Sequence, residues 1–146
     1  MKRRTLIASA LAAATLPLQA QTTRLVEVWK DPDCGCCKEW VKHLQANGFQ
    51  VIAHDVDGPA DMRAKLGMPD AYGSCHTARV QGYLLEGHVP AREVKRLLAE
   101  RPQAIGLAVP AMPVGSPGME VGNRQDPYDV LLVTANGRAS VYQSYR

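Results

Sequence analysis

The sequence predicts a single α/β domain in which helices flank a central mixed sheet. A strand, a helix and a second strand follow one another between residues 25 and 56. This order implies a right-handed crossover between parallel strands. Near the end of the chain, Asn136-Gly137 separates two short strand patterns, which is a strong β-hairpin signal. Parallel and antiparallel pairs in one domain make the predicted sheet mixed.

The first strand is predicted at residues 25–29, where apolar and polar side chains alternate. A helix follows, because an apolar stripe recurs at the spacing i, i+3, i+4 and i+7. The residues of this stripe are Cys37, Trp40, Val41 and Leu44. Asn47-Gly48 is a stop signal for the helix, and residues 49–56 predict the second strand.

The rest of the chain predicts a small number of further elements. These are a helix at 60–66, a strand at 77–85, a helix at 89–101 and hairpin strands at 129–134 and 140–145. Between residues 105 and 127 the chain is rich in glycine and proline and has little periodicity. We therefore predict a long loop before the C-terminal hairpin, and loops of this length in compact domains are often functional.

Length and charge narrow the class of protein. The chain has 146 residues, of which 46% are hydrophobic and 21% charged, which suits one domain with a core of its own. Its 17 basic side chains exceed its 14 acidic ones only because Lys2, Arg3 and Arg4 lie in a leader without acidic residues. The remaining chain is neutral, so we expect no nucleic-acid partner.

The first twenty residues have the pattern of a cleaved signal peptide. A basic start precedes an apolar, alanine-rich run, and Ala20 is a small residue at the expected cleavage point. A membrane anchor is disfavoured because the apolar run is shorter than the ~20 residues that span a bilayer and Pro17 interrupts its end. We predict residues 1–20 as the signal peptide and residues 21–146 as one periplasmic domain without a membrane partner. Arg3-Arg4 leaves general secretory and twin-arginine export both open.

Cys34 and Cys37 form a Cys-x-x-Cys pair between the first strand and the first helix. This is a thioredoxin-like arrangement, in which the helix N-terminus stabilises a thiolate. If the site is redox-active, Cys34 is the exposed catalytic thiol and Cys37 the resolving one. A purely structural disulfide is disfavoured because so short a loop constrains the unfolded chain little.

Two further cysteines indicate a metal site. Cys36 lies inside the pair and is not required for two-electron exchange. In a thioredoxin-like fold the turn before the third strand lies beside the Cys-x-x-Cys, and here that turn holds Cys75 and His76. Four converging thiols suit Cu(I) or Zn(II) and not Mg, Ca or Mn. Zinc would take a closed tetrahedral site, whereas Cu(I) accepts bridging thiolates and permits a cluster.

Histidines and methionines are weaker ligand candidates. His76 is a ligand, a group that orients a thiolate, or a turn residue in water. His88 is a ligand, a supporting group, a helix cap or a surface residue. Met112 lies in the long loop as a candidate thioether ligand or a packing residue, and Met119 is interpreted as packing. His43 and His54 have no cysteine nearby in sequence and are interpreted as surface residues.

Four ordered motifs resemble a known family. They are Cys34-Gly35-Cys36-Cys37, Gly73-Ser74-Cys75-His76-Thr77-Ala78, Gly82-Tyr83 with Glu86-Gly87-His88-Val89-Pro90, and Gly106-Leu107-Ala108-Val109-Pro110 through Gly115-Ser116-Pro117-Gly118-Met119-Glu120. They are similar to the CopG-type family of copper-resistance proteins of Gram-negative bacteria, which is unrelated to the plasmid repressors of that name. The resemblance implies a thioredoxin-like fold, a periplasmic location and copper bound by the four cysteines. Ala111 departs from the family pattern, which predicts glycine there; a positive φ would explain that glycine.

We therefore expect a periplasmic protein that sequesters Cu(I) in copper resistance, with copper- or thiol-linked redox activity as an additional expectation. Its expected partners are copper ions and other periplasmic copper-handling or redox proteins. The first alternative is a thiol-disulfide oxidoreductase without physiological metal. The second is a zinc-stabilised binding module, which chelation would unfold.

Overall fold

The protein is described by a computed structural model that covers residues 24–146. The predicted signal peptide falls on residues 1–20, outside the described residues. The described chain forms the following helices and strands: β1 (Leu25–Lys30), α1 (Gly35–Ala46), β2 (Gln50–Asp55), α2 (Ala60–Leu66), β3 (His76–Val80), β4 (Tyr83–Glu86), α3 (Ala91–Glu100), β5 (Gly106–Ala108), β6 (Tyr128–Val133) and β7 (Ala139–Tyr145). A short 3₁₀ turn at Asp70–Tyr72 precedes β3. No helix in this part of the chain is long and apolar enough to cross a bilayer.

The seven strands of residues 24–146 form one mixed sheet in the order β2-β1-β3-β4-β5-β6-β7. The pairs β1/β2 and β4/β5 are parallel, and the other neighbours are antiparallel. The prediction of an α/β domain with a central mixed sheet is confirmed. The parallel crossover through α1 is present as well, because β1 and β2 are adjacent and α1 joins them.

Two element predictions were wrong. The single strand expected at 77–85 is the hairpin β3–β4, whose turn residues Gln81 and Gly82 have φ angles of 46° and 89°. Two consecutive positive φ angles are typical of the turns that join tight hairpins. The long loop begins later than expected, because β5 occupies its first residues. All three residues of β5 are buried, so no alternating pattern marks the strand in the sequence.

The helices cover both faces of the sheet. Trp40 and Leu44 of α1 and Leu97 of α3 are fully buried in one hydrophobic cluster with Leu85 of β4. Leu84, the neighbour of Leu85, belongs to a second cluster against which Leu66 of α2 packs. Successive strand residues point to opposite faces, so α1 and α3 lie on one face and α2 on the other.

One end of the sheet collects the candidate site residues. Lys30, the last residue of β1, pairs with His76, the first residue of β3. Thr77 pairs with Glu86 at the end of β4, which brings the segment after Glu86 to the same end. The residues that follow β1, precede β3 and follow β4 therefore meet there.

Candidate metal centre

The N-terminus of α1 carries three of the four cysteines. Cys34 is the N-cap residue, and its Sγ accepts a hydrogen bond from the backbone N–H of Cys37 at 3.3 Å. Cys37 is fully buried on the inner face of α1, as the apolar stripe predicts. Cys34 and Cys37 are joined by a disulfide. The first turn of α1 holds no acidic residue, so no carboxylate opposes a thiolate at this positive end of the helix dipole.

The fourth cysteine reaches this group from the turn before β3. The Sγ of Cys36 lies 3.5 Å from that of Cys34 and 3.8 Å from that of Cys75. All four sulfurs lie within 4.8 Å of one another. Cys36 and Cys75 are free thiols. The structure therefore brings together the four cysteines that the sequence singles out.

Two histidines complete the other side of the site. The Sγ of Cys75 lies 3.1 Å from Nε2 of His88 and 3.3 Å from Nδ1 of His76. Both histidines are fully buried. Cys75, His76 and His88 form a second group of potential ligands, with their ligand atoms within 4.8 Å of one another. Cys75 is the member that the two groups share.

Burial keeps these groups uncharged at neutral pH. Burial, and then the neighbouring Cys36, raise the pKa of the Cys75 thiol to about 12. Burial, and then the neighbouring His88, lower the pKa of His76 to about 3. Burial also lowers the pKa of His88. The imidazoles are neutral donors at pH 7, whereas Cys75 has to release its proton to bind a metal ion.

The donor set fits a soft metal ion. Nε2 of His76 has no hydrogen-bond partner among the described residues, although the side chain is fully buried. An unpartnered buried polar atom is uncommon and marks a functional or strained site. The His76 ring packs on Trp40, with 4.3 Å between ring centroids. Sulfur and neutral imidazole donors together suit Cu(I) and Zn(II).

A buried carboxylate holds the turn that carries Cys75. Glu86 is fully buried, and its Oε1 accepts hydrogen bonds from the Ser74 N–H at 2.7 Å and from Arg63 Nη1 at 3.0 Å. Its Oε2 accepts from the Thr77 hydroxyl at 2.6 Å. Arg63 Nη1 also donates to the Ser74 carbonyl at 3.3 Å, so Glu86 and Arg63 hold both sides of the Ser74 backbone.

Sequence reasoning missed the role of Glu86 and Arg63. A carboxylate at the end of a strand and an arginine in a short helix are normally predicted to be exposed, because charged residues are rarely buried. The burial of Glu86, which raises the pKa of its carboxyl group, cannot be predicted from the neighbouring residues in the sequence. The only available signal was the position of Glu86 two residues before His88.

Other predicted residues lie elsewhere. Met112 is 48% exposed and, with Pro113, Pro127 and Leu131, lines an open cavity of about 410 Å³. Its role as a thioether ligand stays a prediction. Ala111 has a φ of 61°, the left-handed conformation that would explain a glycine at this position in the family.

The surface interpretation of His43 was wrong. His43 is half-buried, and its Nε2 accepts a hydrogen bond from the Ala91 N–H at 3.0 Å. It thus caps α3, whose N-cap residue Pro90 has no side-chain acceptor. His54 is partly exposed; its ring stacks on Trp29, and its Nε2 lies 3.3 Å from Oε2 of Glu27.

Fold and site together define an α/β protein with a partly buried cluster of cysteines and histidines whose donor atoms suit a soft metal ion. A family model described as "Protein of unknown function, DUF411" matches residues 72–119, which include Cys75 and both buried histidines. No curated protein matches the chain. Two solved structures do, named "Copper resistance protein copG", Form 2 and Form 1.

Form 2 is 49% identical over 84% of this chain and 98% of its own, with a TM-score of 0.80. Form 1 is 50% identical over 83% of this chain and 96% of its own, with a TM-score of 0.78. At this identity and coverage, the chain belongs to the family of the copper resistance protein CopG.

Proposed function

We propose that this protein is a periplasmic copper-binding protein that sequesters Cu(I) in copper resistance, with Cys34, Cys36, Cys37 and Cys75 as its sulfur ligands. The observation that carries the proposal is the convergence of four sulfurs and two neutral imidazoles at one end of the sheet. Such donors suit both Cu(I) and Zn(II). The names of the solved relatives favour copper.

The proposal assigns a thioredoxin-like fold to the domain. In its support, the elements follow one another along the chain in the order β1-α1-β2-α2-β3-β4-α3. Their strands lie in the order β2-β1-β3-β4. The Cys-x-x-Cys pair begins α1 directly after β1, the position expected for this superfamily.

Copper binding by four sulfurs requires the reduced chain. The Cys34–Cys37 disulfide takes up two electrons and two protons to give two thiols. A dithiol of a periplasmic redox protein supplies both and becomes a disulfide itself. Two Cu(I) ions that become Cu(II) supply the two electrons alone, and the product is then two thiolates. We therefore propose copper-handling and redox proteins of the periplasm as partners, with the state of this disulfide setting the number of sulfur ligands.

The test uses the full chain expressed with its own first twenty residues and purified from the periplasmic fraction. The mass of the product should correspond to cleavage after Ala20. After reduction without oxygen, Cu(I) is titrated against a competing chelator while bound copper and free thiols are counted. Tight binding that consumes all four thiols supports the proposal. Binding no tighter than that of a Cys75→Ser variant contradicts it, and tighter binding of Zn(II) would favour a zinc-stabilised module.

The disulfide itself favours a second candidate, a thiol-disulfide oxidoreductase without physiological metal. Cys34 and Cys37 are already paired at a helix N-terminus, the arrangement that activates a thiolate. For this candidate, Cys36→Ser and Cys75→Ser should leave thiol-exchange rates unchanged. A loss of copper binding in the same variants without a loss of exchange would separate the two functions.

A further inference from the structure

His88 is held at both of its ring nitrogens. Nδ1 lies 2.8 Å from the Pro117 carbonyl oxygen, and Nε2 lies 3.1 Å from the Sγ of Cys75. A carbonyl oxygen only accepts hydrogen bonds, so the proton must be on Nδ1. The neutral ring then has its lone pair on Nε2, which faces the sulfur ligands.

The opposite tautomer is disfavoured at this position. A proton on Nε2 would leave the lone pair of Nδ1 against the lone pairs of the Pro117 oxygen. Both atoms are buried, and an acceptor buried without a donor loses the free energy of its hydrogen bonds to water. The loop around Pro117 therefore decides which nitrogen of His88 is available.

Gly118 allows this loop to approach the ring. Its φ is +89°, and a Cβ built there would lie 2.7 Å from the carbonyl oxygen of Cys36 and 2.8 Å from the amide nitrogen of Trp40. The same Cβ would lie 3.2 Å from Nδ1 of His88. Cys36 and Trp40 are four residues apart in α1, the spacing of a helical hydrogen bond. The loop thus rests on the backbone of the helix that carries the cysteines, at a distance that only glycine permits.

The loop of residues 115–119 keeps its own shape through local hydrogen bonds. The Gly115 N–H donates to the Met119 carbonyl at 2.9 Å, and the Met119 N–H donates to the Ser116 carbonyl at 2.8 Å. The buried Ser116 hydroxyl donates to the Pro113 carbonyl at 2.7 Å. The position of the Pro117 carbonyl is therefore fixed by the loop itself as well as by the imidazole.

The chain on the other side of His88 is also anchored to α1. The indole N–H of Trp40 donates to the Val89 carbonyl at 2.9 Å. Trp40 therefore holds the residue after His88, while the amide of the same tryptophan lies against Gly118. These contacts leave the imidazole little freedom to turn.

We propose that Pro117 and Gly118 are positioning residues for metal binding. The Pro117 carbonyl fixes His88 as the tautomer protonated on Nδ1, and Gly118 allows that carbonyl to reach the ring. Nε2 of His88 then binds the Cu(I) ion together with the Sγ of Cys75. Hydrogen bonding of the far nitrogen to a carbonyl also makes imidazole a stronger ligand. This inference rests on the proposed function. It adds that the loop around Pro117 presents the unprotonated Nε2 of His88 to the proposed metal site.

The first test reads the tautomer directly. Long-range ¹H–¹⁵N spectra of the reduced, metal-free protein should show His88 protonated on Nδ1, with a His88→Gln variant to assign its resonances. Addition of Cu(I) should move the Nε2 resonance and leave Nδ1 protonated. A proton on Nε2 in the metal-free protein, or an Nε2 resonance that Cu(I) leaves in place, overturns the inference.

The second test separates the steric clash of a side chain at position 118 with the backbone of α1 from the strain of a positive φ. Gly118→Ala introduces both, whereas the matched control Gly122→Ala introduces strain alone, because Gly122 has a φ of +53° and nothing within 4 Å of its built Cβ. We expect Gly118→Ala to populate both tautomers of His88 and to weaken Cu(I) binding about 10- to 100-fold, the range for lost outer-shell partners. Gly122→Ala should keep one tautomer and the wild-type affinity. Equal Cu(I) affinities of the two variants would overturn the inference.

These measurements distinguish failure of the inference from failure of the proposed function. If the wild-type protein does not bind Cu(I), the proposed function is wrong. The tautomer measured in the metal-free protein still tests whether the Pro117 carbonyl fixes the proton of His88 on Nδ1. If Gly118→Ala does not fold, the wild-type spectra still test the inference, because a proton on Nε2 of His88 would contradict it.

Discussion

The two sides of the candidate metal centre are built differently. We call Cys34, Cys36 and Cys37 the cysteine side, and Cys75, His76 and His88 the histidine side. The cysteine side comes from one short stretch at the start of α1, and two of its sulfurs form a disulfide. The histidine side comes from separate segments of the chain, and both of its imidazoles are buried.

The cysteine side can change its number of free thiols, whereas the donors of the histidine side are fixed. Oxidation or reduction of the Cys34–Cys37 pair changes how many thiols the cysteine side offers. The histidine side has no such freedom, because Glu86 holds the Ser74 backbone and the Pro117 carbonyl holds His88. The proposed site thus combines sulfurs whose number of free thiols depends on one disulfide with histidines that are held by fixed hydrogen bonds.

Cys75 belongs to both groups of potential ligands, so its loss should have the largest effect on the proposed copper binding. We expect Cys75→Ser to weaken Cu(I) binding by about a thousandfold, because a hydroxyl is a hard donor and a poor ligand for Cu(I). The measurement is competition with a Cu(I) chelator in the reduced protein. Cys36→Ser is the comparison variant, since Cys36 belongs to the cysteine side alone. Equal losses in the two variants would mean that Cys75 does not link the sides.

The rigidity of the histidine side depends on Glu86. Glu86→Gln replaces one acceptor oxygen by an amide group and leaves a buried donor facing a donor. We expect the free energy of unfolding to fall by about 2 to 4 kcal/mol, measured by urea denaturation of the metal-free protein. Glu39→Gln is the control, because the Glu39 side chain is 55% exposed and Lys42 is its one ion-pair partner within residues 24–146; it should change stability by less than about 0.5 kcal/mol. A Glu86→Gln variant as stable as the control would contradict the role of Glu86.

The buried histidines predict a loss of stability in acid. His76 has a pKa of about 3 in the folded protein and about 6.5 when unfolded, so the unfolded chain binds more protons between these values. The stability from neutral His76 is present above pH 6.5 and is lost as the pH falls towards 3. From pH 7 to pH 5 this loss is about 2 kcal/mol for His76 alone.

His43 adds to this dependence, because burial lowers its pKa and protonation would remove the acceptor that caps α3. Denaturation of the metal-free protein at several pH values measures the loss, and His43→Gln should reduce it. A free energy of unfolding that stays constant between pH 7 and pH 5 would show that the imidazoles are not held neutral by burial.

The smallest expected effect concerns the loop that supports the Cys75 turn. The Ala111 N–H donates to the Gly73 carbonyl at 3.2 Å, and the Ser74 hydroxyl donates to the Ala111 carbonyl. Because Ala111 has a φ of 61°, Ala111→Gly should stabilise the protein by about 0.5 to 1 kcal/mol. Ala139→Gly in β7 is the control and should destabilise by a similar amount. Destabilisation by both variants would contradict the strain at Ala111, and thermal unfolding measures each.

The sequence predicted the parts of this molecule that depend on local patterns. The stripe through Trp40 and Leu44 predicted α1 and its buried face, and the helix expected at 60–66 is α2. The proximity of Cys75 to the other cysteines also followed from the expected topology. Topology needs only the order of the elements, which local patterns supply.

The parts that escaped prediction depend on contacts between distant segments. His43 caps α3 from another helix, and Glu86 accepts hydrogen bonds from residues of three different segments. The turn at Gln81-Gly82 lacks the asparagine or aspartate that usually marks a tight hairpin. A residue's neighbours along the chain carry no information about such partners.

If the site binds copper as proposed, the wide spacing of its residues along the chain imposes an order on metal loading. Cys34, Cys75, His88 and Pro117 come together only after β3 has paired with β1 and the loop of residues 115–119 has packed on α1. An unfolded chain offers only the short run from Cys34 to Cys37, so ion capture by the complete centre follows folding. A chain that crosses a membrane unfolded would consequently acquire its full metal affinity only on the far side, after its last ligand segment has docked.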